Sequence, residues 1–193
     1  MNWKTIFNPF ERFNEKLLLF TGLITIILSI IMGYWTNTTF TSIYRISNIE
    51  NATLRNIALP TLLSFAVAIG ILCVLGKILN RKTRIIDIIN TVLISQLFLI
   101  IIQGIGKIPF LKQAGKNVIQ YQSNPTGTFP FLDFLIMITL TLVTITTLIY
   151  SMTLYYNGFK TATNIKKWQH IVLFCIVSLI SALVCQLTIN QII

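Results

Sequence analysis

Catalysis by side chains needs carboxylates, imidazoles or thiols that converge, and this sequence holds few: five Asp and Glu, one His and three Cys in 193 residues. Two of the acids, Asp87 and Asp133, lie inside strongly apolar runs. A charge in the middle of a membrane helix costs about 2.5 kcal/mol or more even on insertion scales, so each is read first as a functional candidate. An aspartic-protease-like dyad would need the two side by side. Their runs enter from opposite surfaces, which sets them most of a roughly 30 Å core apart. His170 stands beside Trp168 at the mouth of the last run, without an HExxH or serine-nucleophile motif, and reads as an interfacial anchor. Cys73, Cys175 and Cys185 have no CxxC spacing and read as buried apolar thiols rather than zinc ligands or a disulfide framework. No catalytic constellation, metal site or cofactor is expected.

The polar residues near Asp87 have a pattern. At about 100° per residue, Asp87, Asn90, Thr91 and Ser95 share one sector of a helix, with Gln96 and Gln103 on another side. That sector should face protein, lining a small polar cavity or bonding neighbouring spans. Thr83 can cap this helix, which puts Asp87 in the first turns, near the positive end of the dipole and one turn from Arg84. Asp133 is equally early in its own run, so both acids also read as near-interfacial charges. The hydroxyls after Asp133, from Thr139 to Thr153, keep to no single face and are expected to bond back to their own helix.

The elements that position these residues are spans. The chain is 54% hydrophobic and only 10% charged, too apolar for a soluble core. Five runs approach the ~20 apolar residues that cross a bilayer: 17–34, 58–79, 85–105, 131–155 and 171–192. The expected fold is therefore an all-α integral membrane protein, one domain over 1–193, built as a five-helix bundle. Asn8, Pro9 and Glu11 carry the signature of a helix start, so a short amphipathic interfacial helix is expected over 8–16, with Phe10, Phe13 and Leu17 on one side. The first run lacks a cleavage site and is read as retained.

The net charge of +10 does not read as a nucleic-acid surface, because the cations gather at span ends. With the N-terminus inside, ten Lys and Arg fall inside and five outside, which selects a cytoplasmic N-terminus and an external C-terminus. "KILNRKTR", 77–84, is then a tight cytoplasmic turn. The loops 36–57 and 106–130 are expected outside, with turns at Asn124-Pro125 and Thr126-Gly127. Asn37 and Asn51 sit in N-x-Thr sequons, which matter only in a secretory pathway. Abundant Ile, Asn and Lys suggest AT-rich bacterial coding, hence a bacterial inner membrane. Ala66 with Gly70, and Ser178 with Ala182, are spaced for close helix packing, within the chain or between copies, so a homo-oligomer is open.

One segment combines aromatic, glycine and basic residues: "YYNGFKTATNIKKWQH", 155–170. Lys160, Lys166 and Lys167 can engage anionic headgroups or an acidic partner. Tyr155, Tyr156 and Trp168 add directional contacts, and Gly158 is expected to let the chain turn out of the fourth span. This is the candidate cytoplasmic docking surface. A belt of interfacial anchors is the plainer reading.

In order of features the chain resembles the Yip1-domain family: the aromatic-proline opening "NPFERF", five closely spaced spans, Asp133-Phe134 opening the fourth, and the exit at Tyr155, Tyr156, Gly158 and Lys160. Eukaryotic members are implied to bind prenylated Rab-type GTPases and to act in membrane trafficking. The Asp-Leu-Tyr-Gly-Pro segment is missing here. The resemblance thus implies a non-enzymatic membrane scaffold whose partners are lipids and an unidentified membrane or cytoplasmic protein. The alternative is a small permease or the substrate-binding membrane subunit of a transporter, which a polar cavity at mid-membrane would favour. A lipid-acting enzyme has only isolated acids and one histidine behind it.

Overall fold

A computed structural model of the chain describes residues 3–50, 52–125 and 128–191. Asn51 and the Thr126-Gly127 turn lie outside these. Among the described residues five helical units are long and apolar enough to span a membrane: α2 (Glu15–Thr36), α3 (Leu54–Leu79), the pair α4 (Ile85–Gln96) and α5 (Leu99–Ile105), α7 (Phe131–Thr163) and α8 (Trp168–Asn190). A short α1 (Trp3–Phe7) precedes them, and α6 (Pro109–Ser123) lies between α5 and α7. The short connections 80–84 and 164–167 mark one end of the bundle, the turn end. The longer connections mark the loop end. The chain is a multi-pass membrane protein and an all-α bundle in its spans.

The centre of the bundle is α4, which packs on α7, α2 and α3. Every residue from Asn90 to Gln96 is buried. The break between α4 and α5 has a local cause. The Ser151 hydroxyl from α7 donates to the Ser95 carbonyl at 2.5 Å, and Leu97 and Ile101 tighten to carbonyls three residues back. A side chain inserted into the helix ladder produces such kinks.

The first loop departs from expectation. Rather than a plain connection it is a re-entrant β-hairpin folded back into the bundle, β1 (Thr38–Ser42) with β2 (Arg45–Asn48), antiparallel with Thr38 opposite Asn48 and Ser42 opposite Arg45. All of β1 is buried, ringed by α2, α3 and α8. Asn37 caps α2 in the left-handed conformation, and Ile49 N–H donates to its carbonyl at 2.9 Å, closing the neck. The tip, Ile43 and Tyr44, reaches the core formed by Leu72, Val92, Tyr155 and Phe174. From Thr39, which bonds the Ile57 carbonyl near the start of α3, to Ser42 the strand descends about 10 Å, and the turn carries the tip further. Non-helical backbone at such depth is tolerated where protein covers it, and β1 is covered. Gly33 makes the neck possible, since a Cβ there would lie 2.6 Å from the Thr38 carbonyl oxygen and 2.7 Å from Ile57.

Smaller expectations also shift. Asn8 caps no helix with its side chain and opens only a 3-10 turn at Pro9–Glu11; Asn14 caps α2 by accepting from Lys16 N–H. Thr83 does not cap α4, because its hydroxyl donates to the Gly76 carbonyl at 3.0 Å and Arg84 holds the cap position. The loop after α5 holds the unexpected α6, which packs on α7. Ala66 and Gly70 are exposed, with nothing near Gly70. Cys185 is buried, but Cys175 is exposed.

Candidate functional site

At the turn end the starts of α2 and α4 lie side by side. Each contributes an acid to its first turn, where the helix dipole favours negative charge: Glu15 on α2 and Asp87 on α4. Arg84 joins them, with Nη1 2.9 Å from Glu15 Oε2 and a two-pronged contact to Asp87 at 3.1 and 3.2 Å. Asp87, through its hydrogen bonds and then its charge, and Glu15 beyond it, hold the Arg84 guanidinium still more firmly protonated. Arg84 is exposed, so the triad is a solvent-edge network that water and salt screen.

One turn deeper the surroundings become dry. Asn90 is buried and donates to the Glu15 carbonyl at 3.1 Å, while its own Oδ1 meets no partner. Thr91 bonds the Asp87 carbonyl at 2.7 Å. Against it lies Gly158, where a Cβ would stand 2.6 Å from Thr91 Oγ1 and 2.8 Å from the Phe10 ring. Gly158 therefore serves the α4–α7 contact and not an exit turn; α7 continues to Thr163 and leaves through left-handed Asn164. Ser95 completes the sector, taking the Gln96 amide at 3.2 Å and giving its hydroxyl to the Val92 carbonyl.

The N-terminal segment straps over this seam. Tyr150 donates to the Ile6 carbonyl and Asn157 to the Phe7 carbonyl, both at 2.8 Å, and Asn8 donates to Thr161 at 3.2 Å. Phe7 meets Tyr150 edge-on. Between strap, α4 and α7 is a cleft of about 340 Å³ lined by Phe10, Phe13, Glu15, Arg84, Asp87 and Asn90. Two carboxylates, one guanidinium and an unfilled amide oxygen can hold a polar or cationic group. A nucleophile poised beside a base is not among them.

Asp133 belongs elsewhere. It sits at the loop end, where Asn117 of α6 donates to it at 2.7 Å. The docking segment also divides: Tyr155 and Gly158 are buried, Tyr156 is half-buried, and Lys160, Lys166, Lys167 and Trp168 are exposed at the turn end.

A family model described as the Yip1 domain matches residues 3–189, nearly the whole chain. The chain belongs to the Yip1-domain family. No curated protein and no solved structure matches it. In this Yip1 domain the elements that sequence reasoning missed are the strap, the hairpin and α6. The hairpin had a signal: "TTFTSIYRIS", 38–47, is rich in the β-branched and aromatic residues that strands favour. The strap had almost none, since its bonds use the backbone carbonyls of Ile6 and Phe7, which any sequence supplies.

Proposed function

We propose that this Yip1-domain protein is a membrane-embedded scaffold without chemistry of its own, acting by binding a partner at the turn end. The observation that carries the reading is the strapped cleft. The strap is held beside it by a few hydrogen bonds to α7, and the cleft offers charges already paired at its solvent edge and one buried amide oxygen that a ligand donor would satisfy. A partner that displaces the strap gains that bond and the cleft together. The orientation proposed is turn end cytoplasmic, in a bacterial inner membrane, on the distribution of Lys and Arg.

The test combines Tyr150→Phe with Asn157→Leu, which removes two strap bonds, and applies in-membrane crosslinking followed by mass spectrometry of the full-length protein. The crosslinked yield of a cleft partner should change several-fold while that of α6 neighbours stays fixed. Unchanged yields for every partner would sink the cleft as a docking site.

A second reading, a small permease, draws on one feature: buried polar side chains continue from Asn90 through Ser95, Gln96 and Gln103 to Thr38 at the loop end. A proteoliposome flux that Gln96→Leu abolishes would favour it over the scaffold.

A further inference from the structure

A different flank of α7 carries a second site. Although α7 and α8 follow one another through the short connection 164–167, their backbones hardly meet. Aromatic rings bridge them at the turn end: Phe174 of α8 stacks on Phe159 at 4.7 Å and tilts against Tyr155 at 5.5 Å. Beyond that clamp the two helices leave a groove of about 530 Å³, walled by apolar side chains such as Met152, Ile171 and Leu179. Its volume falls in the range of small-molecule sites. Tyr44, at the tip of the re-entrant hairpin, lines it too and meets Tyr155 edge-on at 6.0 Å.

We propose that this groove binds one acyl chain of an anionic glycerophospholipid, whose headgroup rests on the lysines at the turn end. Three observations select that occupant. The groove lies within the spanning stretches of α7 and α8, so hydrocarbon is what reaches it. The mouth is cationic: Lys160 sits 5.9 Å over the ring of Tyr156, which is itself in the wall, and Lys166 and Lys167 are exposed in the adjoining turn. None of these lysines makes an ion pair among the described residues, and none of the acids lines the groove. The third is the lining itself, which sets the hydroxyl-bearing Tyr156 beside Lys160 in a largely apolar wall, a place for a glycerol ester at the groove mouth. Lys160 stands one helical turn from Tyr156, a rise of about 6 Å, which places a phosphate above that ester.

The experiment uses the full-length protein in nanodiscs with a trace of phospholipid bearing a photoreactive group on its acyl chain, as phosphatidylglycerol or as phosphatidylcholine, followed by peptide mapping. Label should concentrate on the groove faces of α7 and α8, and phosphatidylglycerol should exceed phosphatidylcholine by about fivefold or more, the factor one surface cation gives. Leu179→Trp should remove the groove label, whereas Ile145→Trp on the exposed face of α7 should not. Lys→Gln at 160, 166 and 167 should equalise the two lipids while the chain still labels the groove, a separation that a misfolded variant would not give. Label spread evenly over the lipid-facing helices, or equal labelling by both lipids in the unaltered protein, would overturn the proposal. Neither result bears on the strapped cleft, whose residues lie apart from these.

Discussion

Strand β1 and the first half of α7 are inverted copies of what a soluble protein would do. The strand, four hydroxyl residues around Phe40, is entirely buried. The helix from Phe131 to Ile149 is mostly apolar, its threonine hydroxyls turned back on its own carbonyls, and Phe131, Leu132, Leu142 and Ile149 are exposed. In water both placements would be unfavourable. In a bilayer exposed apolar side chains meet a solvent as apolar as themselves, so they gain nothing from burial. Backbone that forms no helix must instead be covered. Close packing here is therefore allotted to the hairpin and to the helices around it. On its first half α7 meets α6, through Asp133 with Asn117 and Met137 beside Gly115; its second half is fixed to α4 through Ser151 and Gly158.

That contrast predicts where one added methyl group is felt most. Gly33→Ala places a Cβ against the Thr38 carbonyl and Ile57, and Gly158→Ala places one against Thr91 and Phe10. Each should lower stability by about 1–3 kcal/mol, the usual cost of overpacking, read by denaturant unfolding in micelles. Gly70→Ala, with open space around it, should be neutral or stabilising by up to about 1 kcal/mol, because alanine favours the helix. Equal losses at all three glycines would break the comparison.

A smaller effect sharpens it. Gln103 from α5 donates to Thr38 at 3.0 Å, and Thr38 also shares a hydrogen with Thr36 at 2.6 Å. Gln103→Leu should cost about 1 kcal/mol, and a double-mutant cycle with Thr38→Val should return a coupling of roughly 0.6 kcal/mol, the scale of hydrogen bonds between membrane helices. A coupling near zero would mean the hairpin neck is held by packing at Gly33 alone.

The five spans were legible because a run of apolar residues is a local property. Their limits moved where composition misleads: α7 runs on to Thr163 through Asn157 and Lys160, residues that end an apolar run but not a helix. The pairing of Asp87 with Arg84 was legible from a spacing of three. Glu15, the third member, was not, because only the α2–α4 contact brings it near. The hairpin failed for a different reason. Its threonines, serines and Arg45 average to a polar loop, and the order of spans assigns such a loop to a membrane surface. What places it inside is the set of partners waiting there, the Ile57 carbonyl and Thr61 for Thr39 and the Gln103 amide N–H for Thr38, and these come from α3 and α5. Similarly α6 averages to neither apolar nor charged, and its helix is fixed by Asn117 on Asp133 and by Gly115 against Met137.

The smallest expected effect is the most informative about the exposed half. Thr141 sits on α7 with its hydroxyl given to the Met137 carbonyl at 2.8 Å, an oxygen that the helix ladder already satisfies. Thr139 and Thr146 do the same. Replacing Thr141 with valine keeps the shape, removes a bond that links nothing to a neighbour, and exposes a methyl to lipid. Stability should change by less than about 0.5 kcal/mol, as for substitutions away from packed features. Ser151→Ala, half a helix further on, is the matched control, because its hydroxyl reaches across to the Ser95 carbonyl and its loss should be measurable at about 1 kcal/mol. If Thr141→Val destabilised the protein in nanodiscs by as much as Ser151→Ala, the first half of α7 would have to be covered by another protein surface. The contrast with β1 would then be one of partners and not of solvent.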